Sequence, residues 1–227
     1  MNWWVTDVLA NLGVPALVAW VFWVVASICL HELGHGVVAI WRGDRTPIET
    51  GHMTLNPMVH MGPASLLVFA VAGFAWGMMP VNPSRFRGRY DDALVAAAGP
   101  AVNLVLAVVC TVAGALWIAA GGDWGLIQPN PTLFANMQMF FLLGAMLNTA
   151  LMLFNLLPVP PLDGSRIVAT FVPAYRRAME SPAFQQAAII GFLVLFFVAG
   201  GVIFDLGFEA AIEARARLLA VLLPGRG

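Results

Sequence analysis

An all-α, polytopic membrane helix bundle is the fold class this sequence predicts, on two observations. Hydrophobic residues make up 60% of the 227 positions and charged ones only 10%, with a mean hydropathy of +0.84. Soluble domains carry roughly 25% charged and about 45–50% apolar residues, so the excess is more than one core of this size can hide. Second, the apolar residues gather into runs of about 20, the length that crosses a bilayer as a helix. The formal net charge is -1, and all eleven basic residues are arginine. With neither a basic tract nor an acidic run, no nucleic acid partner is expected, and the lipid bilayer is the surrounding medium. Cys29 and Cys110 lie inside apolar runs, so no disulfide framework is expected.

In chain order, Met1-Asn2-Trp3-Trp4 has no positive n-region and does not read as a cleaved signal; Trp3 and Trp4 read as interfacial anchors. The first span is expected over about Val14–Trp41, the second over Ala93–Ala120, the third over Leu133–Leu157 and the fourth over Phe184–Phe204. Between the first two, Ala64–Met79 is shorter, contains Gly73 and Gly77, and is bracketed by Pro63 and Pro80. That suits a re-entrant segment or a short span. A short extended or β-hairpin stretch is expected after the first helix, over Thr50–Leu55. Residues 206–224 form an amphipathic tail expected to lie along the interface. No repeat or long soluble insert interrupts the chain, so residues 1–227 read as a single membrane-embedded domain.

Arginine placement discriminates between topologies. A full crossing by Ala64–Met79 divides the arginines almost evenly between the two sides. A dip and return gathers Arg42, Arg45, Arg85, Arg87, Arg89, Arg166, Arg176 and Arg177 on one side. The arginine-free N-terminus and Gly121–Pro131 loop then lie opposite. The positive-inside rule favours this second arrangement, a multi-pass protein of the cell membrane whose first helix ends in the cytoplasm. Arg215, Arg217 and Arg226 of the tail then fall outside, against the rule.

The first span carries His31-Glu32-Leu33-Gly34-His35. Residues four apart share a helix face, so His31 and His35 can present two imidazoles to one metal, with Glu32 within reach of a water on it. A charged side chain at mid-bilayer costs about 2.5–3.5 kcal/mol on the lenient insertion scale. A glutamate and two histidines together in such a helix therefore point to function rather than to interhelical glue. Counting back from Trp41 at about 1.5 Å per residue places His35 about 9 Å deep and His31 about 15 Å deep, near the cytoplasmic side. A catalytic zinc takes three protein ligands and keeps one position open. The candidates for the third are His52, His60 and Asp163. Asp163 stands out, because the third span ends at Asn155 and runs through Pro158, Pro160 and Pro161 into Asp163-Gly164. Non-helical backbone at membrane depth is tolerated only in protein or beside a wet cavity. A divalent ion with ionised Glu32 and Asp163 sums to zero charge, which is cheaper to bury than any part alone.

Together these residues resemble the site-2 protease family of intramembrane zinc metalloproteases. The likeness covers nearly the whole chain in order. It rests on His31–His35, Ala98-Gly99-Pro100-Ala101-Val102-Asn103 and Asn155–Gly164, while Met53–His60 and Pro80–Pro83 are similar to the compact bacterial and archaeal branch. Gly62 and Ser165 depart from the residues common there, aspartate and glycine, and no PDZ or CBS segment fits this length. The resemblance implies zinc, one per chain, on His31, His35 and Asp163, with Glu32 as the general base. It also implies a membrane-protein substrate cut within or next to its transmembrane segment. Zinc lowers the pKa of its water to about 7, and Glu32 takes the proton as the peptide carbonyl is attacked. Asn155 is a candidate oxyanion donor or an interhelical hydrogen-bonder; His60 is a substrate contact, an interfacial histidine or an alternative ligand. Asn103 reads as packing glue beside Gly99 and Pro100. A cut requires the substrate helix to unwind, and Thr50–Leu55 is a candidate edge for strand addition. The competing reading is a metal or proton transport protein using the buried His/Glu/Asp set; no inverted repeat or second broken helix supports it. Nothing in the sequence specifies an oligomeric state.

Overall fold

A computed structural model describes residues 3–128 and 130–224, so the expectations placed on Met1, Asn2 and Arg226 lie outside the described residues. The helices are α1 (Trp4–Trp41), α2 (Thr46–Glu49), α3 (Pro57–His60), α4 (Gly62–Ala72), α5 (Asp91–Ile118), α6 (Pro131–Asn155), α7 (Asp163–Phe171), α8 (Pro173–Met179) and α9 (Pro182–Leu222). Among the described residues there is no strand. Four helices, α1, α5, α6 and α9, are long and apolar enough to cross a membrane. Their starts are set locally. Pro131 opens α6 while the Asn130 side chain accepts from the Thr132 amide at 2.8 Å, and Pro182 opens α9 after Ser181. α5 is the hub, packing on α1, α6, α7 and α9. Ala16, Ala19 and Trp23 of α1 meet Cys110, Leu143, Ala145, Met146, Leu147 and Ala211 in one core. The Trp23 indole donates to the Phe140 carbonyl at 2.8 Å, and both cysteines are free and buried.

Four expectations are corrected. The first helix starts at Trp4 rather than near Val14, with a break at Gly13, whose φ of 80° only glycine adopts readily, just before Pro15. Instead of acting only as anchors, the Trp3 and Trp4 indoles both donate to the Ala70 carbonyl of α4, at 3.0 and 3.2 Å. The extended or hairpin stretch forms no ladder. Pro47 and the Asp44 cap turn Thr46–Glu49 into a helical turn, and Asn56 caps the next helix at Pro57. The tail is not a separate interfacial helix but continues α9 without interruption to Leu222. Ile203, Gly207 and Ala211 recur every four residues on one face and are buried. A Cβ on Gly207 would meet the Met146 carbonyl at 2.9 Å, so glycine there allows α9 to close on α6.

Ala64–Met79 doubles back on itself. α4 ends at Gly73 in the left-handed region (φ 73°), and the chain returns beside it as a non-helical segment. Ser65 Oγ binds both the Trp76 amide (2.9 Å) and its carbonyl (2.7 Å), and the Met78 amide donates to the His60 carbonyl at 2.9 Å. The returning segment runs along α1. A Cβ on Gly77 would meet Glu32, and the Met79 side chain lies over Gly36. Two residues of extended chain rise about 6.6 Å and four of helix about 6 Å, so the segment is at strand extension. It ends where the Asn82 amide donates to Asp44 Oδ2 at 2.6 Å. Both ends of the hairpin thus lie at the Trp41 end of α1. There the ion pairs Arg42–Asp91 (3.6 Å), Arg85–Glu49 (2.7 Å) and Arg166–Asp92 (2.6 Å) tie α1, the loops, α5 and α7 together.

Two predictions follow from this hairpin. Single cysteines at Thr46 and Ser84, in a chain with Cys29 and Cys110 replaced by serine, label from the same side of the membrane; labelling from opposite faces would contradict the fold. Burial alone would raise the Asp44 carboxyl, but donors from Asn82 and Thr46 and the nearby Arg85 guanidinium outweigh it and hold it below the ordinary carboxylate range. Its stabilisation is therefore complete above about pH 4, the unfolded value, and fades as pH falls towards the folded one. Asp44→Ala is expected to cost about 1.5–3 kcal/mol at pH 7. The Tm gap to wild type in detergent should stay constant down to about pH 5 and shrink below about pH 4.

Candidate metal centre

α1 is the source of two of the converging side chains, and the third comes from far along the chain. His31 and His35, one turn apart, turn their Nε2 atoms to within 3.0 Å of each other. α6 stops at Asn155, and residues 156–162 form a turn that seats α7 with Asp163 in its first turn. Gly164 makes the seat, since a Cβ there would overlap the Leu156 carbonyl. Asp163 Oδ2 then lies 3.1 Å from His31 Nε2 and 3.3 Å from His35 Nε2. All three residues are buried.

Protons cannot satisfy this cluster in its resting tautomers. His35 Nδ1 sits 2.6 Å from the Val95 carbonyl and His31 Nδ1 2.6 Å from Asn103 Oδ1. Both partners only accept, so both Nδ1 atoms carry the hydrogen and both Nε2 atoms are lone pairs. Asp163 Oδ2 is likewise buried without a hydrogen-bond donor. Three acceptors therefore face one point, which a cation satisfies. Tetrahedral ligands at about 2.0–2.2 Å from an ion lie about 3.3–3.6 Å apart, so the three atoms, at separations of 3.0, 3.1 and 3.3 Å, would open by only a few tenths of an ångström around one. Gly99 of α5 keeps the space clear, because a Cβ there would run into both Nε2 atoms. Gly34 lets α1 and α5 approach closely enough for this; its Cβ would meet the Ala98 carbonyl at 3.1 Å.

The other predicted residues are distributed as follows. Glu32 is buried beside His31, with Oε1 against Gly77 of the returning segment. His60 is 2% exposed, with Nε2 bound to the Thr54 carbonyl at 2.6 Å and Nδ1 unpartnered among the described residues. It stays out of the cluster, as does His52, whose Nδ1 binds Thr50. Asn155 donates to the Leu151 carbonyl at 3.0 Å, within its own helix. Asn103 is corrected from packing glue to a direct partner of His31, and it donates in turn to Asn148 Oδ1 at 3.0 Å. Asn148 was not anticipated from the sequence. The usable signal was spacing: Asn103 lies four residues after Gly99, and Asn148 seven before Asn155, each pair on one helix face.

Gly99→Ala tests the clearance. The variant is expected to keep its helical content while losing bound metal at least tenfold, because the methyl group stands where the two Nε2 atoms converge; measured metal per chain and circular dichroism check both halves.

The comparisons agree with this geometry. Residues 112–199 match Peptidase family M50. "Putative zinc metalloprotease YwhC" of Bacillus subtilis is 39% identical over 174 residues, covering 76% of this chain and 77% of that protein. "Putative zinc metalloprotease Rip2" of Mycolicibacterium smegmatis is 35% identical, covering 74% and 63%, and its Mycobacterium tuberculosis counterpart is 34% identical, covering 83% and 69%. No solved structure matches. This chain, with its buried His-His-Asp cluster, belongs to peptidase family M50, the site-2 protease family, and is a multi-pass zinc metalloprotease.

Proposed function

We propose that this protein is an intramembrane endopeptidase that hydrolyses peptide bonds within or next to transmembrane segments of other membrane proteins, at a site near the cytoplasmic face. The observation that carries it is the convergence of three acceptors on one buried point, inside helices built for a bilayer. His31, His35 and Asp163 would hold the zinc. A zinc ion bound there supplies a Lewis acid that polarises a carbonyl and acidifies water. Glu32, next to His31, takes a proton on its carboxylate from the attacking water and returns it to the nitrogen of the departing chain. Asn155 has one N–H engaged with Leu151 and a second to offer to a developing oxyanion. His60 is buried and its carbonyl holds Met78 of the returning segment, so it supports the substrate side of the site from behind. The gathering of Arg42, Arg85 and Arg166 at the Trp41 end supports a cytoplasmic orientation in the cell membrane. We read residues 1–227 as one membrane-embedded domain in which Gly62–Ala72 and the following segment form a re-entrant hairpin.

A peptide bond inside a helix is shielded by its own hydrogen bonds, so a substrate must unwind locally. The edge that fits an unwound strand is Ala75–Met79 rather than Thr50–Leu55. Trp76 and Met78 pair towards Ser65 and His60, while the alternate residues Ala75, Gly77 and Met79 make no backbone pair among the described residues. That free edge runs past Glu32 and suits strand addition.

Coexpression of tagged single-span membrane proteins with wild type, Glu32→Gln and Asp163→Ala tests this. Glu32→Gln should retain zinc and lose cleavage by at least about 100-fold, and Asp163→Ala should lose both. Cleavage by Glu32→Gln at the wild-type rate would refute the role given to Glu32. Full zinc content in Asp163→Ala would move the third ligand to His60 or His52.

A further inference from the structure

We infer that Asn103 and Asn148 are positioning residues for zinc, together fixing which nitrogen of His31 carries its proton. This relay presupposes the zinc site proposed above and extends it to two amides that touch neither the ion nor a substrate. Both side chains are fully buried. An asparagine can present either its carbonyl or its amino group, by a half-turn of the amide. At Asn148 the choice is forced, because the Gly144 carbonyl one turn back in α6 takes a hydrogen from Nδ2 at 2.9 Å. Its Oδ1 then faces Asn103 and can only accept, which it does from Asn103 Nδ2 at 3.0 Å. Asn103 Oδ1 is thereby turned to His31 Nδ1, 2.6 Å away. An acceptor at that position requires the proton on Nδ1 and leaves Nε2 as a bare lone pair beside His35 Nε2 and Asp163 Oδ2. The chain of choices begins at a main-chain carbonyl, which cannot flip, and ends at the metal-facing nitrogen. His35 needs no relay, since its Nδ1 meets a main-chain carbonyl directly.

With Asn148 gone, Asn103 is free to turn its amino group towards His31. The proton then moves to Nε2, and the lone pair is withdrawn from the metal position. Ordinary interhelical glue would behave differently: its loss lowers stability a little and leaves a metal constant alone.

The test uses the purified full-length chain in detergent, stripped by chelator, with zinc itself as the probe. The zinc Kd is read by chelator competition, and cobalt absorption reports the ligand set. Asn103→Leu should weaken zinc about 10–100-fold. Asn103→Asp alone would set a second oxygen against Asn148 Oδ1, so it is combined with Asn148→Leu: Asn103→Asp/Asn148→Leu, which accepts from His31 whichever way the carboxylate turns, should stay within about threefold of wild type with an unchanged cobalt spectrum. Asn148→Leu alone should weaken zinc by about 3–10-fold, and the Asn103→Leu/Asn148→Leu double variant should be no weaker than Asn103→Leu alone. If Asn103→Leu does not fold, Asn148→Leu and Asn103→Asp/Asn148→Leu decide. Asn148→Leu with the wild-type Kd, or Asn103→Asp/Asn148→Leu weakened by tenfold or more, would overturn the relay while leaving the zinc site standing. A folded wild type that takes up no zinc would sink both.

Discussion

Three lone pairs aimed at one buried point are the constraint around which the rest of this molecule is arranged. Each of His31 Nε2, His35 Nε2 and Asp163 Oδ2 is costly to bury alone, and together they repel. Their arrangement is tolerable only if every other hydrogen-bonding choice nearby is fixed and a positive charge fills the gap. The fold supplies the first condition with main-chain and amide acceptors on α5, braced from α6. The second condition falls to a cation held among the three, the last of which returns from a turn 128 positions after His35, counted along the chain from 35 to 163.

That return depends on topology. α1 and α6 run the same way through the bundle, so the end of α6 lies at the His35 end of α1, and the proline turn needs only to curl inward. Had the hairpin crossed fully, α6 would have ended at the opposite face and Asp163 would be out of reach. The doubling back of α4 at Gly73 is thus as necessary to the site as the ligands are. Polar ties hold it, Ser65 to Trp76, His60 to Met78, Asp44 to Asn82 and the Trp3 and Trp4 indoles to Ala70, and Phe74 packs on Phe196 of α9.

Much of this was legible in the sequence, for physical reasons. The second and third spans start and end within about two residues of their expected bounds, since hydropathy over a full helix is a large summed signal. The buried cluster of His31, His35 and Asp163 was readable because ionisable groups are rare in such helices and each demands a partner. What composition could not show was direction. Gly13 breaks α1 without any change in hydropathy, and the stripe of Ile203, Gly207 and Ala211 holds the tail on α6 although its outer face is polar. Asn103 read as packing glue and Asn148 went unread because an amide's partner depends on a neighbouring helix, which spacing alone does not place.

The glycines leave a mark of their own. Gly99 of α5 and Gly77 of the returning segment set backbone, with no side chain of its own, against His31, His35 and Glu32. On those two sides a rotamer hop, the fastest adjustment most pockets have, has nothing to move. Widening the cluster there would take a shift of the main chain itself, a slower and more collective motion than the flip of a side chain.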